Sequence, residues 1–145
     1  METPRRVCAF AGSCHCGAIE FTFHASRSPP SWPIRACQCR FCRGHGARTT
    51  ADPDGLVTFR FNDESQLQRY RFGLYSAEFL LCRRCGVYIA AVLASPLGQF
   101  TTININAIRE PLAVAEALPV SYEGESLDQR QGRREQHWTP VTGTV

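Results

Sequence analysis

The chain has 145 residues, 43% hydrophobic and 20% charged, with a formal charge of +3, a size and make-up that suit one soluble globular domain, 1–145. No apolar run approaches the roughly eighteen residues of a membrane span. The opening "METPRRVCAF" lacks the apolar stretch of a secretory signal, so a reducing cytoplasm is the expected compartment.

In chain order, strand-like stretches dominate. "GAIEFTF" (17–23) sets Ile19, Phe21 and Phe23 on one side and Glu20 and Thr22 on the other. "LVTFRF" (56–61) and "LQRYRF" (67–72) alternate in the same way, the signature of half-buried strands. "AEFLLC" leads into a cysteine pair, "VYIAAVL" leaves it, and "FTTINI" (100–105) is β-branched and aromatic. "SRSPPSWP", "TADPDGL" and "ASPLGQ" read as loops and turns. "AIREPLAVAEAL" (107–118) suggests a short helix beginning near Pro111. The polar "GESLDQRQGRREQHW" resembles a disordered segment, with Trp138 as an anchor. Together these predict a mainly β, mostly antiparallel single domain.

The eight cysteines are Cys8, Cys14, Cys16, Cys37, Cys39, Cys42, Cys82 and Cys85. Seven fall into C-x-C, C-x-C-x-x-C and C-x-x-C groups. A disulfide framework is disfavoured, because side chains in C-x-C pairs diverge and no oxidising compartment is indicated. Close spacing suits a metal clip. Cys14, Cys16, Cys82 and Cys85 supply four ligands, the number of a closed structural zinc site. Gly17 and Gly86 follow the two pairs, where a loop around a metal needs a relaxed backbone. Cys37, Cys39 and Cys42 would hold a second ion with its fourth position open. Spacing also allows Cys8, His15 or His45 to close that set, although His15, between two ligands, should point away. Two zinc ions on seven thiolates would bring the formal charge to about zero.

Every Lys/Arg position is Arg, which excludes Schiff-base and phosphate-loop lysine chemistry. Residues 1–48 carry seven Arg, including Arg5 and Arg6, against Glu2 and Glu20. No extended basic surface with stacking aromatics is evident, so nucleic acid is not an expected partner. A homodimer is compatible with the sequence and not demanded by it.

"SCHCGAIEFTF", "CQCRFCRGHGA" and "FLLCRRCG" resemble the three signatures of the glutathione-dependent formaldehyde-activating enzyme family, to which the centromere protein V group is related. "ININAI", "LPVSYEGE" and "RREQHWTP" match its later features, and coverage runs from about residue 8 to 141. "AIREPL" lacks the Leu-Asp often found there. The resemblance implies an Mss4-like fold organised around a zinc site. It also implies a structural zinc on Cys14, Cys16, Cys82 and Cys85, and a catalytic zinc on Cys37, Cys39 and Cys42. The implied reaction is that of a carbon–sulfur lyase forming S-hydroxymethylglutathione.

A three-thiolate zinc suits binding of a substrate thiolate better than carbonyl polarisation, because the sulfurs already donate charge. Glutathione, or another small thiol, is the expected partner. Its carboxylates would be met by Arg43, Arg40 and Arg48, with Arg35 behind them and His45 lining the pocket. Two other readings fit the residues: a zinc-stabilised binding module whose triplet is closed by Cys8 or His45, and a thiol or metal redox switch.

Overall fold

The computed structural model describes residues 8–143 and 145; Glu2, Arg5 and Arg6 lie outside them. Eleven strands are described: β1 (Cys8–Ser13), β2 (Ile19–Ala25), β3 (Arg35–Cys37), β4 (Thr49–Thr50), β5 (Leu56–Phe61), β6 (Leu67–Tyr70), β7 (Glu78–Cys82), β8 (Tyr88–Ser95), β9 (Gly98–Asn104), β10 (Leu118–Val120) and β11 (Thr139–Pro140). Two α-helices accompany them, α1 (Arg40–His45) and α2 (Leu127–His137). No helix of the described residues is long and apolar enough to cross a membrane.

Strands β1, β2 and β5 form an antiparallel sheet. The larger sheet runs β10-β3-β4-β9-β8-β7-β6, with β11 also paired to β9. Within it only β10 and β3 run parallel. The fold is thus mainly β and mostly antiparallel. The alternation in β2 buries Ile19, Phe21, Phe23 and Ala25 and leaves the residues between them half-buried. Those side chains join Trp32, Val57, Ile89 and Ile103 in the principal core. Trp32 fixes its proline-broken loop to that core, edge-on to Phe10 and Phe23 at 4.9 and 5.1 Å, and donates Nε1–H to the Arg27 carbonyl. β8 is buried continuously from Tyr88 to Leu93, which accounts for an apolar run without alternation.

Two segments depart from the sequence-based expectation. Residues 111–117 form neither helix nor strand. Leu112 and Val114, two apart, pack against the principal core, so burial with period 2 outweighs the helix propensity of a short Ala-rich tract. The polar stretch near the carboxyl end is α2. Ser126 and Gln129 close a reciprocal capping box at its start, each side chain bonding the other's backbone N–H. Trp138 buries itself against Ala51, Ala77, Ala91 and Leu93 and holds the helix to the larger sheet.

Candidate metal centres and the cavity between them and helix α2

Cys14 and Cys16 lie on the turn between β1 and β2, and Cys82 and Cys85 on the turn between β7 and β8. The four sulfurs come within 4.8 Å of one another, with Cys14 to Cys16 at 3.7 Å and Cys16 to Cys82 at 3.5 Å. A tetrahedral zinc with bonds of about 2.3 Å places its sulfurs about 3.8 Å apart, so the set fits that ion. The two turns are built alike. Cys14 and Cys82 each donate their N–H across the turn, to the Ile19 and Val87 carbonyls. Gly17 and Gly86 follow in the left-handed region at φ 85° and 78°. At Gly86 a β-carbon would meet nothing within 4 Å, so its requirement is conformational alone. Gly86→Ala is expected to cost about 1–2 kcal/mol, measured as a lower midpoint in denaturant with an unchanged slope.

The second set is assembled by β3 and α1. Cys37 ends β3, Cys39 is the N-cap of α1, and Cys42 lies in its first turn. The Cys39 sulfur accepts the Cys42 N–H at 3.4 Å, and the three sulfurs fall within 4.8 Å of one another. Gly46, left-handed at φ 57°, ends the helix. Neither Cys8 nor any histidine joins this set among the described residues. His45 is exposed and lies tilted against the Phe41 and Tyr88 rings, at 4.7 and 5.6 Å.

Both sets hold thiols whose ionisation is mutually opposed. The hydrogen bond with Cys42 lowers Cys37 to about 5, with the Arg133 charge helping. The same bond and burial push Cys42 far up. In the four-sulfur set, burial raises Cys82 to about 12. Cys85 falls to about 6, burial there being outweighed by hydrogen bonds led by the Val87 backbone. Neither group can carry all its thiolates without a compensating cation, and this donor chemistry suits a metal.

Cys37, Cys39 and Cys42 open onto a cavity of about 360 Å³ that reaches α2. Its walls include Phe72, Phe79, Tyr88, Ala91 and Trp138. Tyr88 is 2% exposed, yet its hydroxyl makes no hydrogen bond among the described residues and is not sealed. Burial, then the charges of Cys42, Cys37 and Cys39, hold its phenol well above the ordinary value. The cations on the cavity are Arg35, Arg130, Arg133 and Arg134. Glu125 pairs with Arg133 at 2.8 Å and Arg130 at 3.4 Å, and Arg133 also lies over the Tyr122 ring. With Glu123 at the edge, four guanidiniums face two carboxylates.

The substrate contacts expected from sequence are not among the residues lining this cavity. Arg40, Arg43, Arg48 and His45 are exposed and none lines the cavity. Arg40, Arg43 and His45 lie on the six-residue α1 and Arg48 just beyond it, close to the triplet along the chain. Arg48 is instead bonded to Asn106 Oδ1 at 2.8 Å. Arg35 alone of the anticipated arginines is in place. Asn104 is structural, donating to the Tyr88 carbonyl at 3.0 Å and accepting backbone N–H groups of Arg48 and Asn106. Sequence reasoning missed Arg130, Arg133 and Arg134, whose i, i+3, i+4 spacing on a helix was the available signal.

Residues 9–123 match the family described as glutathione-dependent formaldehyde-activating enzyme. The chain belongs to that family. A Halomonas elongata protein provisionally named as a glutathione-dependent formaldehyde-activating enzyme is 36% identical over 81 residues. That alignment takes in 51% of this chain and 50% of the relative, so this formaldehyde-activating family member is matched to about half its relative's length. A crystal structure of a Rhodobacter sphaeroides protein is also similar, at 25% identity and a TM-score of 0.48, covering 70% of this chain and 89% of the other.

Proposed function

We propose that the protein is a zinc-dependent carbon–sulfur lyase that joins glutathione, or a related small anionic thiol, to formaldehyde or a related aldehyde. The observation carrying this reading is the three-cysteine set, without a fourth protein ligand among the described residues, facing a partly open cavity rich in arginine. Cys14, Cys16, Cys82 and Cys85 would hold a structural zinc, and Cys37, Cys39 and Cys42 a catalytic one. The catalytic zinc would supply one thing, a substrate sulfur held as nucleophilic thiolate at neutral pH.

The chain's own residues do the rest. Phe72, Phe79 and Trp138 keep water from the reacting end and so strengthen every polar contact there. The arginines fix the anionic body of the thiol, so that binding energy is spent on orientation. As the S–C bond forms, the carbonyl π pair moves to oxygen, which takes the proton the thiol has lost. The Tyr88 hydroxyl, free of protein partners and neutral, is placed to donate a hydrogen bond to that oxygen. A binding module without turnover would have the triplet closed by a protein ligand or lacking its metal; among the described residues neither Cys8 nor His45 joins the three sulfurs. The reading places the chain in the cytoplasm, where seven thiols stay reduced.

Exchange NMR of labelled formaldehyde with glutathione tests it. The protein is expected to accelerate entry into the S-hydroxymethyl adduct, and Tyr88→Phe to lower that rate about 10- to 100-fold. Exchange no faster than the protein-free background would remove the lyase reading.

A further inference from the structure

Among the described residues, Arg134 is the buried cation of the cavity and makes no ion pair. It is 7% exposed and projects from α2 beneath the loop that joins β6 to β7. Its Nη1 donates to Ser76 Oγ at 2.8 Å, and its guanidinium lies 4.8 Å from the Trp138 ring centre. Nε is sealed and has no partner, and Nη2 has none among the described residues. Glu125 attracts it through space but makes no hydrogen bond to it, both carboxylate oxygens being taken by Arg130 and Arg133. Burying a cation with an idle donor is unfavourable unless an anion completes it. Nη2 is not sealed, so it is the donor a carboxylate can reach, through a charge-assisted hydrogen bond. The guanidinium, the Tyr88 phenol and the three cysteines all line one cavity. Its walls mix aromatic and small apolar side chains with Thr49 and Thr102.

We propose that Arg134 and Ser76 form a buried carboxylate-binding subsite that selects anionic thiols and aims their sulfur at Cys37, Cys39 and Cys42. The assignment rests on the thiol reading above for its direction, while the anion subsite stands on its own geometry. Arg134 is thus a specificity-determining residue, and neutral thiols of the same size would be poor ligands.

The test uses the metal-loaded protein and S-methylglutathione, which keeps both carboxylates but has no thiol to offer a metal. In calorimetric titration Arg134→Met should bind it about 10- to 100-fold more weakly than wild type, and Arg134→Lys, keeping the charge but not the planar guanidinium, should recover only part of the loss. The dimethyl ester of glutathione should bind weakly and equally to wild type and Arg134→Met. Without ligand, Arg134→Met should melt at or above the wild-type temperature, because an unsatisfied buried cation has been removed. S-methylglutathione should then raise the melting temperature of wild type alone. Equal S-methylglutathione affinity in wild type and Arg134→Met would overturn the subsite, as would a lower melting temperature with affinity unchanged. Failure of the thiol reading is separable: S-methylglutathione and free glutathione would bind with equal affinity and the same Arg134 dependence, which supports the subsite and removes the thiol contact.

Discussion

Cys82→Ser should leave the protein unfolded or insoluble, and Cys14→Ser should do the same. The four sulfurs of Cys14, Cys16, Cys82 and Cys85 connect the β1–β2 turn of one sheet to the β7–β8 turn of the other. Structural zinc contributes on the order of 10–16 kcal/mol in small zinc-binding peptides, against about 5–15 kcal/mol for the net stability of a whole domain. Losing one ligand at a closed site therefore removes an amount comparable to everything the fold has. Cys14 and Cys82 are buried in the principal core, so the change also places a hydroxyl among apolar neighbours. Circular dichroism and soluble yield are the measurements. A folded Cys82→Ser protein, melting within a few degrees of wild type, would contradict the structural assignment.

Cys39→Ser should behave in the opposite way, keeping the fold and losing the second metal. Cys39 is the N-cap of α1, where its sulfur accepts the Cys42 N–H. Serine is among the favoured residues at that position, so the cap survives the change. As a metal ligand serine is poor. Outer-shell changes alone weaken metal binding about 10- to 100-fold, and losing a ligand from a three-sulfur set should exceed that. Metal per chain is expected to fall from near two to near one, with a melting temperature close to wild type and no activity. If the metal count stays near two, the triplet does not hold an ion through Cys39.

The cysteine chemistry was legible in the sequence because metal clips are local: C-x-C and C-x-x-C state their ligands within a few residues. Strands β2, β5, β6, β7, β8 and β9 were legible for the same reason, each long enough to show alternation or an apolar run. The two- and three-residue strands β3, β4, β10 and β11 carry no such pattern; pairing partners far along the chain decide them. The six-residue β1 escapes this reading too; it pairs with β2 and bridges to Ile108 through Gly12. The cavity was hidden for a spatial reason. Proximity in sequence pointed to Arg40, Arg43, Arg48 and His45, but the basic wall comes from α2, some ninety residues beyond the triplet. Polarity made α2 resemble a disordered tail, although Ser126 and Gln129 spelled a capping box and Arg130, Arg134 and Trp138 shared one face.

The central claim is that Cys37, Cys39 and Cys42 hold a metal with a position left for a substrate sulfur. Titrating the cobalt-substituted protein with glutathione, with metal per chain counted on the same sample, tests it most directly. Near two metals per chain, the thiolate-to-cobalt absorption should grow and saturate at one glutathione per chain, and in Cys39→Ser it should not grow. A wild-type spectrum unchanged by glutathione at full metal occupancy would contradict the account.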